Sequence, residues 1–154
     1  MRVLLFLLFS VMAASSAPPI VIYNDGTPCY CDSLVIFYHG KGRPAIETPY
    51  KNGVRNGEER IYYKKGMLRS RIPYKDDLID GYAVKYWWTG KIWQKSRFIK
   101  GVRESFTIQF FEDGTFAGQA LFKNGELVGQ IICADGRRGD SLEEITCAPG
   151  DDGL

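Results

Sequence analysis

One histidine, His39, stands in a chain of 154 residues, and the four cysteines lie outside its regular part. A zinc site needs four ligands at short, familiar spacings. Cys29-Tyr30-Cys31 with one remote histidine does not supply them, so no metal and no cofactor is expected. No serine sits in a nucleophile-elbow pattern. The paired carboxylates Glu58-Glu59 occupy adjacent strand positions, which point to opposite faces and cannot converge on one substrate atom. Asp76-Asp77 falls in a turn. No catalytic residue is identified, and the chain is not read as an enzyme. Sustained helical periodicity with caps is missing too, which excludes a helical bundle. Acidic residues are scarce in the middle. From Lys41 to Arg103 there are sixteen Lys and Arg against six Asp and Glu, a balance of +10. From Glu104 to Leu154 three face ten, a balance of −7. The basic middle suits an acidic protein surface or anionic phospholipid as partner.

The first 16 residues read as a secretory signal peptide: Arg2, an apolar run from Val3 to Ala14, then small residues from Ala13 to Ala17. The run is too short for a membrane span. The expectation is an exported protein, periplasmic or extracellular, soluble after cleavage. Nucleic acid is a poor partner for a protein in that compartment. Export and an even cysteine count favour disulfides. Of the three pairings, Cys133 with Cys147 closes a local loop and is preferred. Cys29 with Cys31 would be a tight ring that strains standard geometry, and cross-pairing would need the two ends of the chain to meet. Residues 17–33 form an N-terminal segment, 34–136 a repeat array, and 137–154 an acidic, flexible tail.

The array rests on a period of 24. Tyr38, Tyr62, Tyr86 and Phe110 share one column, and Gly42, Gly66, Gly90 and Gly114 share a second. Tyr50, Tyr74, Phe98 and Phe122 share a third. Gly53, Gly101 and Gly125 recur with Asp77 in the remaining slot, and Gly57, Gly81 and Gly129 with Ser105. A fixed period in this range signals one supersecondary unit stacked on itself. Strand-length runs such as Tyr82 to Trp87, punctuated by Thr89-Gly90 and Ile99-Lys100-Gly101, make that unit a β-hairpin. The fold class is therefore all-β: an elongated antiparallel meander of hairpin repeats.

Strand alternation then sorts the faces. It predicts a core face carrying Tyr38, Tyr82, Val84, Tyr86 and Phe106 with Ile72, Tyr74, Ile92, Phe98, Phe116 and Phe122. It predicts an opposite face of Glu47, Arg69, Arg71, Lys95, Arg97 and Gln119, joined by Lys85, Gln109 and the ring column His39, Tyr63, Trp87 and Phe111. Charged stems interleaved with rings form a candidate partner-binding surface. Its proposed members are Tyr63, Arg69, Arg71, Lys85, Trp87, Trp93, Lys95 and Arg97.

The units Tyr62-Tyr63-Lys64-Lys65-Gly66 and Phe110-Phe111-Glu112-Asp113-Gly114, with Phe122-Lys123-Asn124-Gly125 running to Gly129, resemble a MORN repeat. More closely they resemble the 24-residue variant of YwqK-type antitoxin repeat proteins. The resemblance covers about residues 34–138, with a shortened fifth unit from Ile131 to Gly136. It implies an elongated, curved hairpin sheet, protein contacts, and in some members phospholipid contacts. The variant branch it resembles is associated with neutralising toxins encoded nearby; this chain departs from that pattern in being exported, so the expected target is a toxic effector, such as a secreted lipase, in the cell envelope. A phospholipid-associated scaffold and a secreted host-facing protein are the alternatives.

Overall fold

The structure, a computed structural model, describes residues 32–40, 42–140 and 147–148. The signal segment, Cys29 and Cys31 lie outside the described residues.

Thirteen strands form one antiparallel sheet among the described residues, and none of those residues is helical. In chain order they are β1 (Ser33–His39), β2 (Arg43–Lys51), β3 (Val54–Arg55), β4 (Gly57–Tyr62), β5 (Leu68–Lys75), β6 (Leu78–Ile79) and β7 (Gly81–Tyr86). They continue as β8 (Ile92–Ile99), β9 (Val102–Phe110), β10 (Phe116–Lys123), β11 (Glu126–Leu127), β12 (Ile131–Cys133) and β13 (Arg138–Gly139). The path β1-β2-β4-β5-β7-β8-β9-β10-β12-β13 follows the chain without a crossover, and β3, β6 and β11 are short pieces beside β2, β5 and β10. Ten strands at the usual spacing give a sheet roughly 40 Å across. The expected all-β meander is present. Arg138–Gly139, assigned from sequence to the tail, instead pair with β12 and extend the sheet.

Two turns alternate along it. The first closes each repeat hairpin over three residues. Trp87 N donates to Lys91 O at 2.8 Å and Gly90 N to Trp87 O at 2.9 Å, with Gly90 at φ +85°. The same pair of bonds recurs at Tyr63–Met67, Phe111–Thr115 and Cys133–Arg137. The second joins repeats through two left-handed residues: Asn52-Gly53, Asp76-Asp77, Lys100-Gly101 and Asn124-Gly125. Asp77 replaces glycine at φ 65°, and Arg55 supports it. The Arg55 backbone N–H and Nε both donate to Asp77 Oδ1, at 2.9 and 3.1 Å. These two donors hold the Asp77 carboxyl below its ordinary range.

The ring column works as a ladder. His39 Nε2 lies 3.1 Å from Tyr62 O, so that nitrogen carries the proton. Tyr63 Oη donates to Tyr86 O at 2.8 Å and Trp87 Nε1 to Phe110 O at 3.1 Å. Each ring thus reaches the carbonyl just before the next ring. Tyr63 and Trp87 are buried by this stitching.

The predicted division into a core face and a charged face is not what the sheet does, although Val84 and Phe122 are buried as expected. Tyr38, Tyr82, Phe106, Ile92 and Phe116 are all exposed. The reason is one β-bulge per hairpin. Near the turn Tyr86 opposes Ile92, but Lys85 opposes Gln94, so Trp93 is extra on β8. Arg69 is extra on β5, Ala45 on β2 and Ala117 on β10. These four residues stand 24 apart, so the bulge belongs to the repeat. An extra residue reverses the match between odd and even positions on the two strands. Beyond it Val84 opposes Lys95 and Tyr82 opposes Arg97.

One face consequently carries Thr48, Ser70, Ser96, Thr107 and Ala120, all buried although, among the described residues, no second sheet or helix lies over them. Small side chains there lie below taller neighbours, which makes a trough. Three of its floor hydroxyls are paired: Thr107 Oγ1 donates to Ser96 Oγ at 3.0 Å, and Thr48 Oγ1 to Glu59 Oε2 at 2.8 Å. The back face carries Arg60, Arg71, Val84, Tyr82, Lys95 and Arg97 through the registered pairs.

Apolar burial concentrates at the C-terminal end. Trp87, Ala117, Phe122, Ile131, Cys133, Cys147 and Ala148 form one cluster, with Trp93 and Leu127 against it. The preferred disulfide is there: Cys133 and Cys147 are bonded, with Cα atoms 5.2 Å apart. Gly118 lies beneath it. A Cβ at Gly118 would collide with Cys147 Sγ and stand 2.8 Å from Ile132 O. Gly118→Ala is therefore expected to lower stability by about 1–3 kcal/mol, the scale of an overpacked site. A thermal melt unchanged from wild type would contradict this close approach.

Candidate functional site

The bulge column decides what stands in the trough. A bulged residue is freed from strand pairing and re-aims its side chain. Arg69 and Trp93 both line the trough in this way. Lys85, on the outgoing strand, joins them opposite Ser70 and Gln94. Two adjoining cavities result, of about 230 and 180 Å³, sharing Ser70, Ile72 and Lys85. Arg69, Tyr63 and Trp93 wall the first; Phe98 and Arg103 wall the second.

The charge of these two cavities is one-sided, with Glu59 just outside them, opposite Ile72 and bonded to Thr48. Arg69, Lys85 and Arg103 line them, and no Asp or Glu lines either cavity. Rings supply the local partners instead. The Arg69 guanidinium lies 5.7 Å from the Tyr63 ring centre, Lys85 Nζ 5.1 Å from that of Trp93, and Arg103 4.7 Å from that of Phe122. Burial pushes the Lys85 ammonium below its ordinary pKa, and the nearby Arg103 and Arg69 push it the same way. Burial lowers Arg103 too. A site that depresses its own cations is one where an anion would be favourable.

The eight candidates from sequence do not form one surface. Arg69, Lys85 and Trp93 meet in the trough, with Tyr63 as its wall. Trp87 is held inside the C-terminal cluster, its ring centre 5.9 Å from that of Trp93. Arg71, Lys95 and Arg97 lie on the back face. There Lys95 Nζ and the Arg97 guanidinium sit 4.2 and 5.0 Å from the ring centre of Tyr82, which is 51% exposed. Arg71 reaches Glu58 at 3.5 Å. This is a correction to the predicted surface, and the bulge is its cause.

Sequence reasoning passed over Arg103, Tyr82 and Trp88. Arg103 had a signal: it directly opposes Phe98, as Arg55 opposes Tyr50 beside an equivalent turn. Tyr82 was hidden by the reversed faces. Trp88 is exposed in its hairpin turn, and nothing in the periodicity marks it.

Trp93 already has an internal partner. Its Nε1 donates to Ala148 O at 2.9 Å, and Ala148 N donates to Gln109 Oε1 at 3.3 Å. The C-terminal end of the trough is thus covered by the chain itself.

The fold and this site define an open array of hairpin repeats that presents a basic, ring-walled trough. Over residues 55–76 the chain matches the family model described as a MORN repeat variant, and the same 24-residue columns continue on both sides. No curated protein and no solved structure matches the chain. Among the described residues, no helix is long and apolar enough to cross a membrane. The disulfide is consistent with an oxidising compartment.

Proposed function

We propose that this chain is an exported binding protein that neutralises a toxic effector in the cell envelope by direct, stoichiometric contact. The carrying observation is the pair of adjoining cavities in the trough, lined by three cations and no carboxylate. Positive charge left unbalanced on a partly desolvated surface favours an acidic partner and speeds its encounter. The repeat supports the same reading, since stacked repeats offer extended recognition surfaces.

The test is calorimetry of the mature protein against a secreted lipase, nuclease or peptidoglycan hydrolase encoded beside it. The expected result is a one-to-one complex that weakens with salt. Lys85→Glu should cost about 2 kcal/mol or more of binding free energy, because a desolvated cation loses its partner and gains repulsion. Full affinity in Lys85→Glu would remove the trough from the interface.

The back face favours a second reading. Arg71, Lys95 and Arg97 around exposed Tyr82 suit an anionic phospholipid surface, at about 1 kcal/mol per basic residue near the bilayer. Sedimentation with phosphatidylserine vesicles, lost on reversing those three charges and kept in Lys85→Glu, would select that scaffold role.

A further inference from the structure

The contact between Ala148 and the sheet shows how this face holds a main chain, and the repeat carries the same position one unit back. Ala148 is fully buried, its carbonyl taken by the bulge residue Trp93 and its N–H by Gln109 on the outgoing strand. Gln109 directly opposes Gln94, the residue after the bulge. Moving back 24 residues replaces Trp93 with Arg69 and Gln109 with Lys85, which opposes Ser70 in the same manner. At the first position one group donates and the other accepts, so a peptide unit fits. At the second position both groups only donate. A peptide N–H finds no acceptor there, whereas an ionised carboxylate accepts from both.

We propose that Arg69 and Lys85 form a carboxylate subsite for an extended acidic segment of a protein partner. It rests on the reading of the chain as a protein-binding module and gives that module its ligand chemistry. Charge complementarity selects the occupant. Arg103 extends the positive lining beyond Lys85, and no acid lines either cavity. Two strands separate equivalent positions, a distance of roughly 10 Å, which an extended chain covers in about three residues. Arg103 on β9 stands two strands beyond Lys85 on β7, so the favoured segment carries one acid for Arg69 and Lys85 and a second about three residues away for Arg103, crossing the strands along the trough. Ser70 and Ile72 form a floor low enough to admit a main chain above them.

The experiment is an NMR titration of the full mature chain with a capped dodecapeptide bearing two aspartates three residues apart. A twin with asparagine in both places is the comparison. The aspartate peptide should cause saturable shifts at the amides of Ser70, Lys85 and Ser96. The asparagine twin should bind at least tenfold more weakly. Arg69→Gln and Lys85→Gln, each checked for an unchanged melt, should weaken the aspartate peptide by a similar factor. Arg60→Gln on the back face should leave it as in wild type. Equal binding of the two peptides, or shifts confined to the back face, would overturn the proposal. Binding that appears only after deletion of residues 149–154 would assign the subsite to this chain's own C-terminal segment and would likewise overturn it. A complex with an effector that persists while the peptide fails would leave the neutralising function standing and reject the subsite alone.

Discussion

Trp87→Ala is expected to destabilise the protein by about 3–5 kcal/mol, the range for emptying a large aromatic from a packed site. Three losses combine. The ring is only 8% exposed and lies in the one sizeable apolar cluster among the described residues. Its contact with Trp93 disappears. Phe110 O also loses its donor, and an orphaned carbonyl costs about 1–3 kcal/mol where water cannot replace the bond. Since whole domains are stable by only about 5–15 kcal/mol, a urea midpoint should fall steeply. Trp87→Phe should lie between the two, keeping ring volume and losing the N–H. A midpoint within experimental scatter of wild type for Trp87→Ala would contradict the packed role. Any loss of partner binding in this variant has to be read after its unfolded fraction is subtracted.

The second large effect concerns the bond between Cys133 and Cys147. The two residues are 14 apart in sequence. A loop of that length restricts the unfolded chain by about 3 kcal/mol. Removing both thiols as Cys133→Ser with Cys147→Ser tests this bond without disturbing Cys29 and Cys31. The variant should lose that amount, and also the tether that holds Ala148 against Trp93 and Gln109. Tryptophan emission should move to longer wavelength in the folded variant, as Trp93 meets water. An unshifted spectrum with a full 3 kcal/mol loss would mean that Ala148 stays docked without the bond. Neither change would mean that the bond contributes nothing to this end of the sheet.

The sequence shows its period plainly because turn geometry restricts residue choice. Gly66, Gly90 and Gly114 all adopt positive φ, where few other residues are comfortable. Asn52-Gly53 and Asn124-Gly125 mark their turns for the same reason. The local disulfide was legible from spacing and compartment. The faces were not. A bulge is a surplus of one residue in a pairing, and no residue type is obligatory there: the column holds Ala45, Arg69, Trp93 and Ala117. Alternation continued across it assigns Arg97 and Arg69 to one surface, while the sheet puts them on two. The bond from Trp93 to Ala148 joins residues 55 positions apart, which no local pattern encodes.

The diversity of that bulge column has a consequence for how such a sheet can change. A methyl, a guanidinium and an indole occupy one geometric station without altering the hydrogen-bonded frame around it. Substitution there rewrites the trough chemistry while the frame stays in phase. Duplicating or deleting 24 residues would keep every ring, turn and bulge in step. Inserting a single residue in a return strand would turn that hairpin inside out, exchanging its trough for its back. The array behaves as a cassette with a fixed reading length, in which recognition is edited at one station per unit and length is edited only in whole units.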